Sequence, residues 1–210
     1  MSGPGFFLTL DGPGGVGKST VVGEVHDLLA AGDAPALATT EPSRTPLGEL
    51  LRKSTGRYKG HSYAHLIAGD RLDHLASTVV PAVERGVIVV SDRYVASSLV
   101  LQRMDGLTLE EIWSINQPLV APSLSVILTA DTEEIGKRLA KRGQLHSRFE
   151  EMEDSTGLEV RYYEEAAAFL ATHGFDIVTI DCTALSASQV AARIVQEIDI
   201  RQTKEGLTHE

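Results

Sequence analysis

The sequence predicts an α/β fold, a parallel sheet covered by helices on both faces. Three observations carry this expectation. Apolar runs of strand length alternate with helical patterns along the chain, the signature of parallel strands joined by helical crossovers. Val87–Val90 is continuously apolar, as a strand buried on both faces must be. A glycine-rich stretch, Gly12-Pro13-Gly14-Gly15-Val16-Gly17-Lys18-Ser19, links one apolar strand to a helix.

Phe6 to Asp11 reads as the first strand, Ser19 to Ala31 as the first helix and Ala36 to Thr40 as the second strand. Thr45 is an N-cap with Pro46 at the first helical position. A helical region from Tyr63 to Arg85 follows, bent or restarted at Pro81. After the Val87–Val90 strand, Ser97 to Met104 reads as helix and Thr108-x-x-Glu111 as a capping box. Leu124 to Leu128 is the fourth strand, and Asp131-x-x-Glu134 is expected to cap a basic helix. Gly143 to Gly157 reads as a polar loop. A helix from Leu158 to Thr172, a strand from Phe175 to Ile180 and a helix opened by Ser186-x-x-Gln189 complete the pattern.

The 210 residues suit one domain, placed at 1–200, with a polar, aperiodic tail over 201–210 expected to fray. A net charge of −10 argues against a nucleic-acid-coating surface, although a local basic pocket can still hold a small phosphorylated ligand. The single cysteine, Cys182, excludes an internal disulfide and reads as an inert core thiol. No apolar stretch reaches membrane-spanning length, and the first residues lack the regions of a signal peptide, so a cytoplasmic protein is expected.

The glycine stretch reads G-x-x-x-x-G-K-S. Its backbone N–H groups can curl around a phosphate chain, and the following helix turns its positive end toward the same anion. Gly12, Gly14, Gly15, Val16, Gly17, Lys18, Ser19 and Thr20 are the candidate ligands of ATP phosphates, with Ser19 a candidate Mg²⁺ ligand. The same letters spell G-x-G-x-x-G, with Glu41 where a ribose-binding acid of a dinucleotide site belongs. Lys18-Ser19 has a role only in the phosphate-loop reading.

Asp92 ends the third strand, where an open parallel sheet gathers its ligands, and is the second candidate Mg²⁺ ligand. Arg93 follows, able to fork onto phosphate oxygens; the plainer alternative is a strand-end ion pair. Glu41-Pro42 ends the second strand, and Asp70-Arg71, Asp73 and His74 lie in the long helical region. Lys137, Arg138, Lys141, Arg142 and Arg148 form a basic segment at the polar loop, either a lid over a triphosphate or a solvated helix face. His61 and His65 share a helix face without a convincing third ligand. Glu150, Glu151, Glu153 and Asp154 read as solvated surface.

Together these segments resemble the thymidylate kinase family. The resemblance runs from Phe6 to about Ile194. Its markers are the phosphate loop, Glu41-Pro42, Thr45-Pro46-Leu47-Gly48-Glu49, Gly69-Asp70-Arg71, Pro81-Ala82-Val83, Ser91-Asp92-Arg93-Tyr94-Val95-Ala96-Ser97 with Gln102, Arg142-Gly143 and Arg148-Phe149-Glu150. The resemblance implies a three-layer P-loop NTPase fold with a five-stranded parallel sheet and a short lid at about 143–157, often as a homodimer. It implies transfer of the γ-phosphoryl of ATP to dTMP, with Mg²⁺. By the same resemblance Lys18, Arg93, Arg142 and Arg148 are candidate catalytic residues. Glu41, Pro42, Ile67, Arg71, Arg93, Ser97, Ser98 and Leu101 are candidate acceptor-binding residues.

The departures fall on the acceptor side. The family usually carries an aspartate at the position of Gly14, a stacking phenylalanine at Ile67, asparagine or glycine at Ser98 and an aromatic at Leu101; Asp73 replaces a frequent glutamine. Base stacking on an aromatic is worth about 1–3 kcal/mol, and each lost hydrogen bond about 0.5–1.5 kcal/mol. Several such losses are enough to shift the acceptor toward another nucleotide or a specialised phosphorylated metabolite. A nucleotide-binding switch without catalysis is the alternative of another class.

Overall fold

The computed structural model describes residues 5–54, 56–143, 149 and 155–208. Five parallel strands form one sheet in the order β2-β3-β1-β4-β5: β1 (Phe6–Asp11), β2 (Ala36–Thr40), β3 (Ile88–Asp92), β4 (Leu124–Thr129) and β5 (Ile177–Asp181). Register is set by apolar partners at the centre, with Leu8 of β1 opposite Val90 on one side and Leu124 on the other. Two-residue alternation then assigns the faces. Phe6, Leu8 and Leu10 enter one core with α1 (Lys18–Ala31), α7 (Thr132–Arg142) and α9 (Ala187–Thr208). Phe7 enters the other, with α3 (Gly60–His74), α4 (Val80–Glu84), α5 (Val95–Met104), α6 (Leu109–Ile115) and α8 (Ser155–Thr172). The three layers follow from that alternation.

Several local signals act as the sequence predicts. Thr45 accepts from the Gly48 N–H and opens α2 (Pro46–Lys53), Thr108 and Glu111 make both capping-box bonds, and Ser186 and Gln189 bond reciprocally. Other expectations are corrected. The Asp131 side chain makes no capping bond; its backbone N–H donates to Thr183 Oγ1 at 2.9 Å, and the Glu134 carboxylate is held by Arg138 one turn on, at 2.8 Å. The long helical region opens at Gly60 and widens into a π-helical turn over Leu75–Val79, just before Pro81. Proline lacks the N–H that would serve the carbonyl four residues back, and an i→i+5 turn accommodates the gap. The tail expected to fray from Arg201 instead continues α9 to Thr208. Arg201 forks onto Asp176 at 2.6 and 3.0 Å and pairs with Glu197, two-pronged contacts that fix the helix end.

Strand order reverses beside β1, whose neighbours are β3 and β4. The crevice outside the carboxyl ends of β1 and β3 is therefore where ligands are expected.

Candidate active site

The glycine loop leaves β1 at Asp11 and enters α1 at Lys18. Gly12 has φ 150, and a Cβ there would stand 2.4 Å from the Leu128 carbonyl oxygen. Gly17, the N-cap, takes φ 108, a left-handed conformation that glycine adopts without a Cβ penalty. The loop thus turns the N–H groups of the α1 N-terminus toward the crevice.

Lys18 is buried and folds back so that its Nζ donates to the Gly12 and Pro13 carbonyls, each at 2.8 Å. Burial, and then the neighbouring charge of Arg93, lower its pKa to about 7, against the opposing pull of Asp92, Glu159 and Asp11. A negative charge brought beside it would restore the ammonium.

Ser19 Oγ donates to Asp92 Oδ2 at 2.5 Å, while Asp92 Oδ1 is buried without a hydrogen-bond partner among the described residues. A hydroxyl beside a carboxylate with an unsatisfied buried oxygen is a donor set suited to a hard divalent cation, so these residues fit the Mg²⁺ expected from the sequence.

Asp11 organises the far side. Its Oδ1 accepts from the Tyr94 N–H at 3.0 Å, the Ser97 N–H at 2.9 Å and the Ser97 hydroxyl at 2.6 Å, capping α5, whose own N-cap side chain makes no such bond. Burial pushes the Asp11 carboxyl up, opposed by these same bonds. Arg93, between β3 and α5, holds φ 80, an uncommon conformation for a side chain with a Cβ. Its backbone N–H donates to the Leu10 carbonyl at 2.8 Å and its guanidinium to Ser97 Oγ at 3.1 Å. Burial opposes its charge, but Tyr163, Asp92, Glu159 and Asp11 outweigh it and raise its pKa.

Beyond these lies a cleft of about 630 Å³. It is lined by all the acceptor candidates, Glu41, Pro42, Ile67, Arg71, Arg93, Ser97, Ser98 and Leu101, together with Ser19 and Asp92. Arg71 is 2% exposed and held from three sides. It donates to Glu41 Oε2 at 2.7 Å, to Ser98 Oγ at 3.0 Å and to Asn116 Oδ1. Of a guanidinium's five N–H groups, these bonds leave two for a ligand. Glu41 also faces His74 Nδ1 at 3.4 Å, and His74 Nε2 contacts Thr39 Oγ1 at 2.7 Å. Asp70 grips the Ser43–Thr45 turn through the Ser43 N–H and hydroxyl, each at 2.6 Å, and the Thr45 hydroxyl at 3.1 Å. Both Glu41 carboxylate oxygens thus face Arg71 and His74, which argues against the ribose-binding role that the dinucleotide reading gives it.

Gly12, Gly14, Gly15, Val16 and Gly17 on the loop, and Lys18 and Thr20 in the first turn of α1, are not among the residues that line the cleft. Arg142 ends α7 and is not among the described residues that line the cleft. Arg148, most of the expected lid and the acidic run Glu150–Asp154 lie outside the described residues. Sequence reasoning missed Asp11, although it ends β1 as Asp92 ends β3. It also missed Asn116, Glu159 and Tyr163. The last two stand one helical turn apart on α8, and a charged residue in register with buried Tyr163, Ala166 and Leu170 was the available signal. Cys182 is buried, with its thiol pushed up to about 11 by desolvation.

The fold and the loop define the class: a P-loop NTPase fold with a cleft beside the phosphate loop. Comparison with known proteins narrows it. The thymidylate kinase family model matches residues 10–184. A probable thymidylate kinase of Pyrobaculum calidifontis is 36% identical over 150 residues, covering 70% of this chain and 75% of the relative. The thymidylate kinase of Bacillus velezensis is 36% identical over 144 residues, 64% and 68% of the two chains, and a probable thymidylate kinase of Pyrococcus abyssi is 30% identical over 173 residues, 79% and 84%. The chain belongs to the thymidylate kinase family and is a nucleoside monophosphate kinase.

Proposed function

We propose that this enzyme transfers the γ-phosphoryl of ATP to dTMP, with loosened discrimination on the sugar. The observation that carries the reading is a single cleft in which Arg93, at the phosphate-loop end, is continuous with the Arg71–Ser98–Leu101 wall. The loop N–H groups and Lys18 hold the triphosphate, and Arg93 draws the acceptor phosphate toward it, so that the two phosphates meet in line. Ser19 and Asp92 hold Mg²⁺, which when bound neutralises charge on the polyphosphate. The two remaining Arg71 donors suit carbonyl oxygens of a pyrimidine. Ile67 and the half-buried Leu101 give apolar contact without an aromatic stack or a polar reading of the sugar.

Arg142 and Arg148 close over the triphosphate in this reading, as a lid that excludes water. The enzyme works in the cytoplasm as a homodimer and engages no nucleic acid or membrane; no helix among the described residues is long and apolar enough to cross one. The test compares kcat/KM for dTMP, dUMP, UMP, dCMP and dGMP. Pyrimidine monophosphates are expected to be preferred, with dTMP and UMP separated by less than about 100-fold, or roughly 2.7 kcal/mol. A larger preference for dTMP refutes the loosened sugar reading, and turnover of no nucleotide refutes the acceptor class.

A further inference from the structure

The phosphate loop from Gly12 to Thr20 contains no acidic residue, yet a carboxylate is bonded to it. Glu159, on α8, is 3% exposed, and its Oε2 accepts the Gly14 N–H at 2.8 Å. We propose that Glu159 is a positioning residue for phosphoryl transfer, supplying from α8 the carboxylate that the loop lacks and holding the loop and its cations in their working arrangement.

Three features support this role. A carboxylate withdrawn from water costs several kcal/mol unless it is paired, so a glutamate on an otherwise apolar helix face is expensive as mere filling. The same helix face reaches the opposite wall. Tyr163, one turn on, places its hydroxyl 3.0 Å from Ser97 Oγ, and Ser97 in turn bonds Arg93 and Asp11. Finally, the Gly14 N–H that Glu159 holds belongs to the same loop whose Gly12 and Pro13 carbonyls accept Lys18 Nζ, so the carboxylate anchors the segment that positions that lysine. α8 thereby ties the donor loop to the residue on the acceptor side, and Glu159 acts through them without touching the reacting atoms.

The inference rests on the kinase reading, and its test separates the two. Glu159→Gln keeps shape and an accepting oxygen but removes the charge. The expected result is a fall in kcat of about 10- to 100-fold, the scale of groups that orient others, with KM for ATP and dTMP within about threefold and no loss of Tm. Gly14 is not among the described glycines with positive φ, so a side chain there adds no left-handed backbone strain. The double variant Gly14→Asp/Glu159→Gln, which returns a carboxylate to the loop, is expected to recover most of the lost kcat. An unchanged kcat in Glu159→Gln, a loss accompanied by a lowered Tm, or no recovery in the double variant overturns the proposal. An inactive wild-type enzyme overturns it together with the kinase reading; an active wild type with an unaffected Glu159→Gln overturns the inference alone.

Discussion

Removing the Glu41 carboxylate should damage the acceptor side and spare the donor side. Glu41 is 4% exposed and Arg71 2%, and they meet at 2.7 Å. In Glu41→Ala the guanidinium keeps its charge, retains Asn116 and Ser98 and loses its only anionic partner among the described residues apart from whatever ligand binds. Breaking a buried pair in this way costs about 3–5 kcal/mol, most of it the penalty on the abandoned charge. For a chain of this size each kcal/mol moves Tm by about 2–4 °C, so a drop of about 6–20 °C is expected by calorimetry. Arg71 also loses the contact at Nε that sets its tilt, so KM for dTMP should rise about tenfold or more while KM for ATP stays within about threefold. The double variant Glu41→Gln/Arg71→Met, which removes both charges, should recover much of the Tm and none of the acceptor affinity. A Tm loss below about 1 kcal/mol equivalent would mean that the pair behaves as a solvated one, and an equal rise in both KM values would refute the division of the cleft.

Lys18→Ala should lower kcat by about 10²–10³-fold, the effect of removing one transition-state donor, with Tm maintained; near-normal turnover refutes the phosphate-loop assignment. Arg93→Lys should be strongly impaired in steady-state kinetics despite its retained charge, because lysine cannot make the planar two-pronged contact with a phosphate that the proposed role requires; free substitution would make Arg93 only an ion-pair residue. Cys182, its thiol raised to about 11, remains protonated at pH 8, so alkylation of the native protein should be about 100-fold slower or more than in denaturant. Equal rates would show an exposed or ionised thiol.

The parts of the fold legible in the sequence are those encoded locally. β1 reads from Phe6–Asp11 because alternate side chains serve the two cores. Thr45, Thr108 and Ser186 announce their helices because a cap needs only a side chain and the next turn. The π-helical turn at Leu75–Val79 was legible only as a disturbance at Pro81, since proline marks the missing donor without choosing how the backbone absorbs it. The end of α9 was not legible at all. Arg201 is ordered by Asp176, 25 residues upstream, and no local pattern carries that distance.

The site divides along the same line. The donor half is almost continuous in sequence, Gly12 to Thr20, and its chemistry can be read as a motif. The acceptor half is assembled from β2, α3, β3, α5 and the end of α6, and its key group, Arg71, takes its orientation from Glu41, Ser98 and Asn116, which are 30, 27 and 45 residues away. A motif names such a guanidinium without saying how many of its donors the protein has already used. That count governs specificity. With five free donors Arg71 would bind many oxygen-bearing ligands; with three committed and its plane fixed, it addresses only acceptors lying along the two remaining directions. Asn116 therefore matters to the acceptor although no sequence pattern marks it. Its own Nδ2 is tied to the Ile112 carbonyl at 2.7 Å, so its Oδ1 is presented to Arg71 in one orientation, and in the proposed reading base selection depends on the end of α6 as well as on the arginine.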